Sequence, residues 1–220
     1  MGPLMKDQFG RVIQYLRVSI TDKCNLRCVY CMPLEGLEWL QREQILTYEE
    51  IERIIRVLAP MGLERVRITG GEPLVRRDVP ELVKLIAAVP GVRDLSLSTN
   101  AVLLGEQAEA LRSAGVHRLN VSLDSLREDR VDALARRPGS YPKIMEGLDA
   151  AERVGFAPIK VNVVLIRGQN DDEIRDFAEI TRERPWHVRF IEMMPTGANL
   201  DLSQNQFVSC DEALRTVQEI

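Results

Sequence analysis

Six short segments of this chain alternate polar and apolar side chains, and each is followed by a stretch whose apolar residues recur at helical spacing. The six are Tyr15–Thr21, Arg65–Gly70, Asp94–Asn100, Arg118–Asp124, Ile159–Ile166 and His187–Met194. Successive side chains of a strand point to opposite faces. One face therefore gathers Arg17, Ser19, Thr21, Arg67, Thr69, Ser96, Ser98, Asn100, Asn120, Ser122, Asp124, Lys160 and Asn162. The other gathers Leu16, Val18, Ile20, Val66, Ile68, Leu95, Leu97, Leu119, Val121, Leu123, Val161, Val163 and Leu165. The sixth segment is ambiguous, because Arg189 and Glu192 fall on opposite faces.

Strands and helices in strict alternation, joined by short links, call for a parallel α/β sheet, either doubly wound or curled into a barrel. Parallel strands covered on both faces read as continuous apolar runs, and these do not. Helices must cover the apolar face. The polar face then lines a wet or ligand-filled concavity, since buried polar groups without partners are costly. An open (β/α)6 partial barrel of the TIM type meets both demands. Helix starts are marked by Thr47 before Glu50, Asp78 before Glu81, Asn170 before Glu173 and Ser209 before Glu212. The spacing of Ile144, Leu148 and Ala151 predicts a helix over Ser140–Val154 that stops at Gly155.

No internal repeat, low-complexity stretch or linker interrupts the pattern, so 1–220 reads as one domain with 1–14 as an N-terminal extension. A hydrophobic fraction of 45% is enough for a sizeable core. A net charge of −4 gives no nucleic-acid footprint. No apolar run reaches the roughly 18–20 residues of a membrane span, so no membrane partner is expected. The first six residues lack the pattern of a signal peptide, which makes the expected compartment cytoplasmic. Met5 is an alternative natural start, with Met1–Leu4 then a cloning scar, and the sequence leaves both open.

Three of the four cysteines, Cys24, Cys28 and Cys31, lie in one loop after the first strand, spaced C-x3-C-x2-C. That spacing can bring three thiolates to three corners of a cubane iron–sulfur cluster. A fourth iron is then left without a protein ligand, as open catalytic sites are. The competing reading is a structural zinc site, which wants four ligands and would need Cys210 or His117 from far away.

Beyond the cysteines, the sequence resembles the radical S-adenosylmethionine (SAM) superfamily. Within it, the similarity is to the GTP 3′,8-cyclase family of molybdenum cofactor biosynthesis. The resemblance is carried by Asp7–Pro33, with Phe9-Gly10-Arg11 and Tyr15-Leu16-Arg17-Val18-Ser19-Ile20-Thr21-Asp22 leading into the cysteines. It continues through Val66-Arg67-Ile68-Thr69-Gly70-Gly71-Glu72-Pro73, Ser98-Thr99-Asn100 and Asn120-Val121-Ser122-Leu123-Asp124-Ser125. Lys160-Val161-Asn162 and Arg189-Phe190-Ile191-Glu192 complete it, in the family's order.

The resemblance implies a fold of the radical SAM type and a [4Fe–4S] cluster held by Cys24, Cys28 and Cys31. It implies SAM cleavage to methionine and a 5′-deoxyadenosyl radical, which takes the 3′ hydrogen of GTP before the sugar radical attacks C8 of the guanine. Tyr30, Gly71, Ser122 and Met194 match SAM contacts, and the Gly70-Gly71-Glu72-Pro73 turn matches the one that receives the methionine end. Two glycines at a strand end also let backbone and ligand approach closely. Arg17, Arg67, Thr99 and Lys160 match GTP contacts. Parity agrees for Arg17, Arg67 and Lys160, since a triphosphate wants cations in a confined site. Thr99 has the opposite parity from Ser98, so its role rests on the resemblance.

The sequence departs from the family in three places. No match to the family's C-terminal region with a second cluster is expected in these 220 residues, and Cys210 reads as a helix-start core residue. The chain alone is therefore expected to bind a cluster and SAM but to be a poor GTP cyclase. Ala101 stands where glycine is usual, and Met194-Pro195-Thr196-Gly197 has Pro where an acidic residue is common. Two alternatives stay open: a radical SAM reaction on another phosphorylated substrate, and a noncatalytic metal-binding module. The electron donor, a flavodoxin or ferredoxin by analogy, is not specified by the sequence. An open barrel mouth invites a homodimer or another capping chain.

Overall fold

The computed structural model describes residues 4–33, 35–195 and 200–220, with backbone only for 201–203. Positions 1–3 of the alternative start, and positions 196 and 197 of the Met194 block, lie outside the described residues. Among those described, six strands form one sheet in the order of the chain. They are β1 (Tyr15–Ser19), β2 (Arg65–Thr69), β3 (Asp94–Thr99), β4 (Arg118–Ser122), β5 (Ile159–Val164) and β6 (Trp186–Ile191). Every neighbouring pair is parallel. The sheet is open, with β1 and β6 as its edges.

Helices α1 (Tyr48–Leu58), α2 (Val79–Ala87), α3 (Leu104–Ala114), α4 (Glu128–Ala135) and α5 (Ser140–Arg153) connect the first five strands. Helices α6 (Ile174–Glu179), α7 (Leu200–Asn205) and α8 (Cys210–Gln218) flank β6 in the chain. The apolar parity of the strands is the core. Val66, Ile68, Leu95, Leu97, Leu119, Val121, Val161 and Val163 are completely buried. They share one cluster with Leu82 and Ile86 of α2, Leu111 of α3, Leu148 of α5 and Phe177 of α6. Each such side chain contributes about 1.5–3 kcal/mol by leaving water. Leu16 and Val18 of the edge strand β1 are only partly covered.

Register then aligns the polar parity into rows. Arg17 lies beside Arg67, Arg67 beside Ser96, and Ser96 beside Arg118. Higher up, Ser122 lies beside Asn162 and Asn162 beside Arg189. That pairing resolves β6: Arg189 faces the concave side. Glu192 lies past the end of the strand, where its carboxylate accepts a hydrogen bond from the Cys210 amide at 2.8 Å.

The strands stop up to three residues before the polar–apolar alternation does, because the chain there leaves the ladder to build loops. Thr47 makes the expected capping box with Glu50, and Ser209 accepts from the Glu212 amide at 3.2 Å. Two expected caps are different. Asp78 takes a left-handed conformation, φ 58°, and makes no side-chain cap. Asn170 instead ties Ile166, Val164 and the Asp124 carbonyl together. Glu173, expected to complete its box, is wholly buried and accepts from Ser125, Leu126 and Arg130. Tertiary partners outbid the local cap. Gly155 closes α5 with φ 85°, as its position after the apolar stripe requires.

Candidate active site

The cysteine loop leaves β1 at the C-terminal end of the sheet and is clamped from two sides. On one side, the turn after β2 holds its beginning. The Gly71 amide donates to the Thr21 carbonyl at 2.7 Å, and the Glu72 amide to the Lys23 carbonyl at 2.8 Å. A Cβ on Gly70 would lie 2.6 Å from the Thr21 oxygen, and one on Gly71 would lie 2.5 Å from the Asp22 oxygen. The glycines thus admit the cysteine loop's own backbone, where the sequence pointed to a ligand. Gly71 also reaches the concave cavity; Gly70 does not line it.

On the other side, the loop seals the C-terminal end of α4. The Arg27 and Val29 amides donate to the Ala135 and Leu134 carbonyls at 3.0 and 2.9 Å, which helix ends leave without partners. In return, Arg136 and Arg137 donate to the carbonyls of Met32 and Asn25. Arg27 donates to those of Cys24 and Leu26. Tyr30 and Asn100 complete the hold: the Tyr30 hydroxyl donates to Asp124 at 2.6 Å, and the Asn100 amide donates to Asn25 at 2.8 Å.

This scaffold brings Cys24, Cys28 and Cys31 to the wall of one concave cavity of about 520 Å³. Cys24 and Cys28 are half-buried and Cys31 is exposed. Burial raises all three thiol pKa values; Asp124 adds to this at Cys28 and Cys31, and Glu72 at Cys24. Thiols so placed become thiolates when metal supplies the compensating charge. Cys24 Sγ also accepts from the Leu26 amide at 3.4 Å and from the Asn100 side chain at 3.8 Å. Among the described residues, no three His, Cys, Asp or Glu side chains are grouped to hold a single metal ion. Three thiols around one cavity do fit a cluster, which takes one thiolate per iron.

Arg17, Arg67 and Arg189 line the same cavity. Lys160 is not part of its lining. Burial lowers the Lys160 pKa first, then the charges of Arg118, Arg189 and Arg67, so these cations form one neighbourhood. Arg118 is paired with Asp94. Among the described residues, Asn162 Oδ1 and Arg189 Nε are buried without any hydrogen-bond partner. Both belong to cavity-lining residues, and a buried polar group left unpaired costs about 1–3 kcal/mol. A polar ligand would answer both. Arg189 was absent from the sequence-derived substrate contacts, and only the register of β6 against β5 reveals it.

The remaining sequence candidates divide. Ser122 is exposed on the cavity wall, while Tyr30 meets the wall with its hydroxyl already engaged. Thr99 lines the cavity too, but its hydroxyl donates to Glu72 at 2.7 Å and accepts from the Ala101 amide. Met194 is 69% exposed and sits in a smaller adjoining hollow with Tyr30 and Cys31. The core methionine there is Met193. Ala101 is buried with φ 62°, the conformation that explains why glycine is favoured there. Cys210 does begin α8, but it is exposed and not a core residue.

The sequence matches the radical SAM superfamily over residues 18–180. It is 52% identical over 194 residues to a GTP 3′,8-cyclase of Listeria welshimeri, covering 88% of this chain and 58% of that protein. The chain therefore spans little more than half the length of that relative. A GTP 3′,8-cyclase of Alkaliphilus metalliredigens is 48% identical over 214 residues, 97% of this chain and 67% of the relative. In structure, methylornithine synthase superposes with a TM-score of 0.72 at 16% identity, covering 95% of this chain and 63% of that one. That likeness speaks for the fold. No described helix is long and apolar enough to cross a membrane. The chain belongs to the radical SAM superfamily, in the branch that holds the GTP 3′,8-cyclases.

Proposed function

We propose that this chain is the cluster- and SAM-binding barrel of a GTP 3′,8-cyclase, acting on GTP in molybdenum cofactor biosynthesis. One observation carries the reading: a single concave cavity is lined by Cys24, Cys28 and Cys31 together with Arg17, Arg67 and Arg189. A redox centre and an anion site thus share one space.

A [4Fe–4S] cluster bound there would supply the electron for reductive cleavage of SAM, the source of the radical chemistry on GTP. The chain's part is to bind and orient. Cys24, Cys28 and Cys31 would hold the cluster through their thiolates. Gly71, Ser122, Tyr30 and Met194 are the SAM contacts in this reading, with Gly70 positioning the cysteine loop by allowing its close approach. Arg17, Arg67, Lys160 and Arg189 hold the triphosphate. Three or four cations in a partly buried space interact with phosphate far more strongly than in water. The hydroxyl of Thr99 is already committed to Glu72, so Thr99 serves the nucleotide site by keeping the end of β3 in place.

Anaerobic iron–sulfur reconstitution, reduction and SAM addition, with 5′-deoxyadenosine assayed with and without GTP, tests the reading. Deoxyadenosine that disappears in Cys28→Ala and rises with GTP is the expected result. Bound zinc with no cluster and no SAM cleavage would instead make this a metal-binding module. Cleavage indifferent to GTP but stimulated by another phosphorylated compound would reassign the substrate.

A further inference from the structure

A second hollow, of about 690 Å³, opens between the start of the cysteine loop, the 40–49 segment and the turn after β2. It shares no lining residue with the concave cavity, so the two are separate. Its charge is one-sided. Lys23, Arg42, Arg76 and Arg77 line it against a single carboxylate, Glu49, in a chain whose net charge is −4. Arg76 is committed to the fold: it donates to the Ile20 and Leu46 carbonyls at 2.7 and 2.8 Å and lies over the Tyr48 ring. Among the described residues, the side chains of Lys23, Arg42 and Arg77 make no hydrogen bond or ion pair. Leu40, Ile45 and Val75 supply an apolar lining between the cations. Lys23 immediately precedes Cys24.

We propose that this hollow is the docking surface for an acidic one-electron carrier protein. The inference rests on the radical SAM reading, which requires an electron from outside. On docking, the carrier is oxidised by one electron and the cluster reduced by one; no bond is made or broken. Complementary charge raises the encounter rate and fixes the orientation of such a transfer. A carrier seated here meets the backbone beside Cys24, while the concave cavity stays free for SAM and nucleotide. The free cations and the apolar patches between them match the mixed surface of a transient protein partner.

The test follows cluster reduction in the reconstituted chain by stopped flow, with reduced flavodoxin, an acidic flavoprotein, as the probe. The double variant Arg42→Glu/Arg77→Glu is compared with Arg42→Gln/Arg77→Gln and with the parent, each also reduced by dithionite. Flavodoxin reduction is expected to slow by on the order of tenfold at low salt in the reversed variant, with the neutral variant between. The parent's rate should fall as salt rises, and the reversed variant's should not. Dithionite reduction and iron content stay level throughout. Equal flavodoxin rates in parent and reversed variant, with dithionite reduction intact, overturn the docking surface alone. A parent rate indifferent to salt, or competition by inorganic phosphate with no response to the substitutions, overturns it as well. A parent that assembles no cluster takes down the functional reading and the docking surface together.

Discussion

The Tyr30 hydroxyl donates a 2.6 Å hydrogen bond to Asp124, joining the cysteine loop to the end of β4 across 94 positions of sequence. The other Asp124 oxygen accepts from the Val164 amide at 2.9 Å, so the same carboxylate also reaches β5. Burial raises the Asp124 pKa to about 6 despite both bonds, and raises that of Tyr30 as well. The loop that carries the thiols is thus fixed through a buried polar node.

Tyr30→Phe keeps the ring and removes the donor. Hydrogen bonds to charged groups contribute about 1.5–3 kcal/mol, and the loss is expected at that level in urea unfolding of the metal-free chain. Iron retained after reconstitution should fall in parallel, because the loop then keeps its ties to α4 but loses its tie to the end of β4. An unchanged unfolding midpoint with full iron content would show that the node is idle.

Gly71→Ala addresses the other clamp. The new methyl would fall between the Lys23 and Asp22 carbonyl oxygens, and backbone cannot yield as a side-chain tip can. Overpacking of this kind costs about 1–3 kcal/mol. The expected outcome is a chain that folds with a displaced cysteine loop and binds substoichiometric iron. Gly139→Ala is the contrast: its Cβ meets nothing within 4 Å, although φ there is +74°, so it should lose stability without losing iron. Equal iron in the two variants would refute the clamp.

The first residues of β1 to β5 coincide with the starts read from sequence, because alternation and turn residues are local. The strand ends do not, since Thr21, Asn100 and Asp124 keep the polar parity while their backbone has already turned to build the site. The short spacing of the three cysteines agrees with their shared place on one cavity wall. Arg189 was not legible, because its face depends on pairing with Asn162, and a register between strands is not written in either strand. Gly70 and Gly71 were recognised as points of close approach, but what approaches comes from a loop about 50 positions earlier, a separation at which local pattern is silent. Parity puts Thr99 opposite Ser98, yet it lines the cavity, with its hydroxyl tied to Glu72.

Glu72 gives a pH prediction. Burial raises its pKa from 4.5 to about 7, against the lowering effect of bonds from Asn100, Thr99 and Leu74. A carboxyl whose folded pKa exceeds its unfolded one binds more protons folded. Its contribution is therefore full below about pH 4.5 and is lost as pH rises towards 7. The loss is on the order of 3 kcal/mol. Glu72→Gln removes this titration. It also turns an amide NH2 toward donors, so the variant starts less stable. Urea titrations from pH 5 to 7.5 should show the parent's advantage over Glu72→Gln shrinking as pH rises. A constant or growing gap would mean that the three bonds keep the carboxylate ionised throughout.

Asn100 links the fold to the redox centre. Its amide donates to Cys24 Sγ at 3.8 Å and to Asn25 at 2.8 Å, while its backbone is held separately by Glu72 at 2.6 Å. Donors to cluster sulfur favour the more negative, reduced state and raise the potential. Asn100→Ala should therefore lower the midpoint of the reconstituted cluster while costing about 1 kcal/mol of stability. Asn100→Asp keeps an acceptor for the Val102 amide but places a carboxylate near Cys24, and should lower the midpoint further. The order parent, Ala, Asp in an EPR-monitored redox titration is the expected result. Identical midpoints would leave the bond from Asn100 to Cys24 with a purely positional role in the loop.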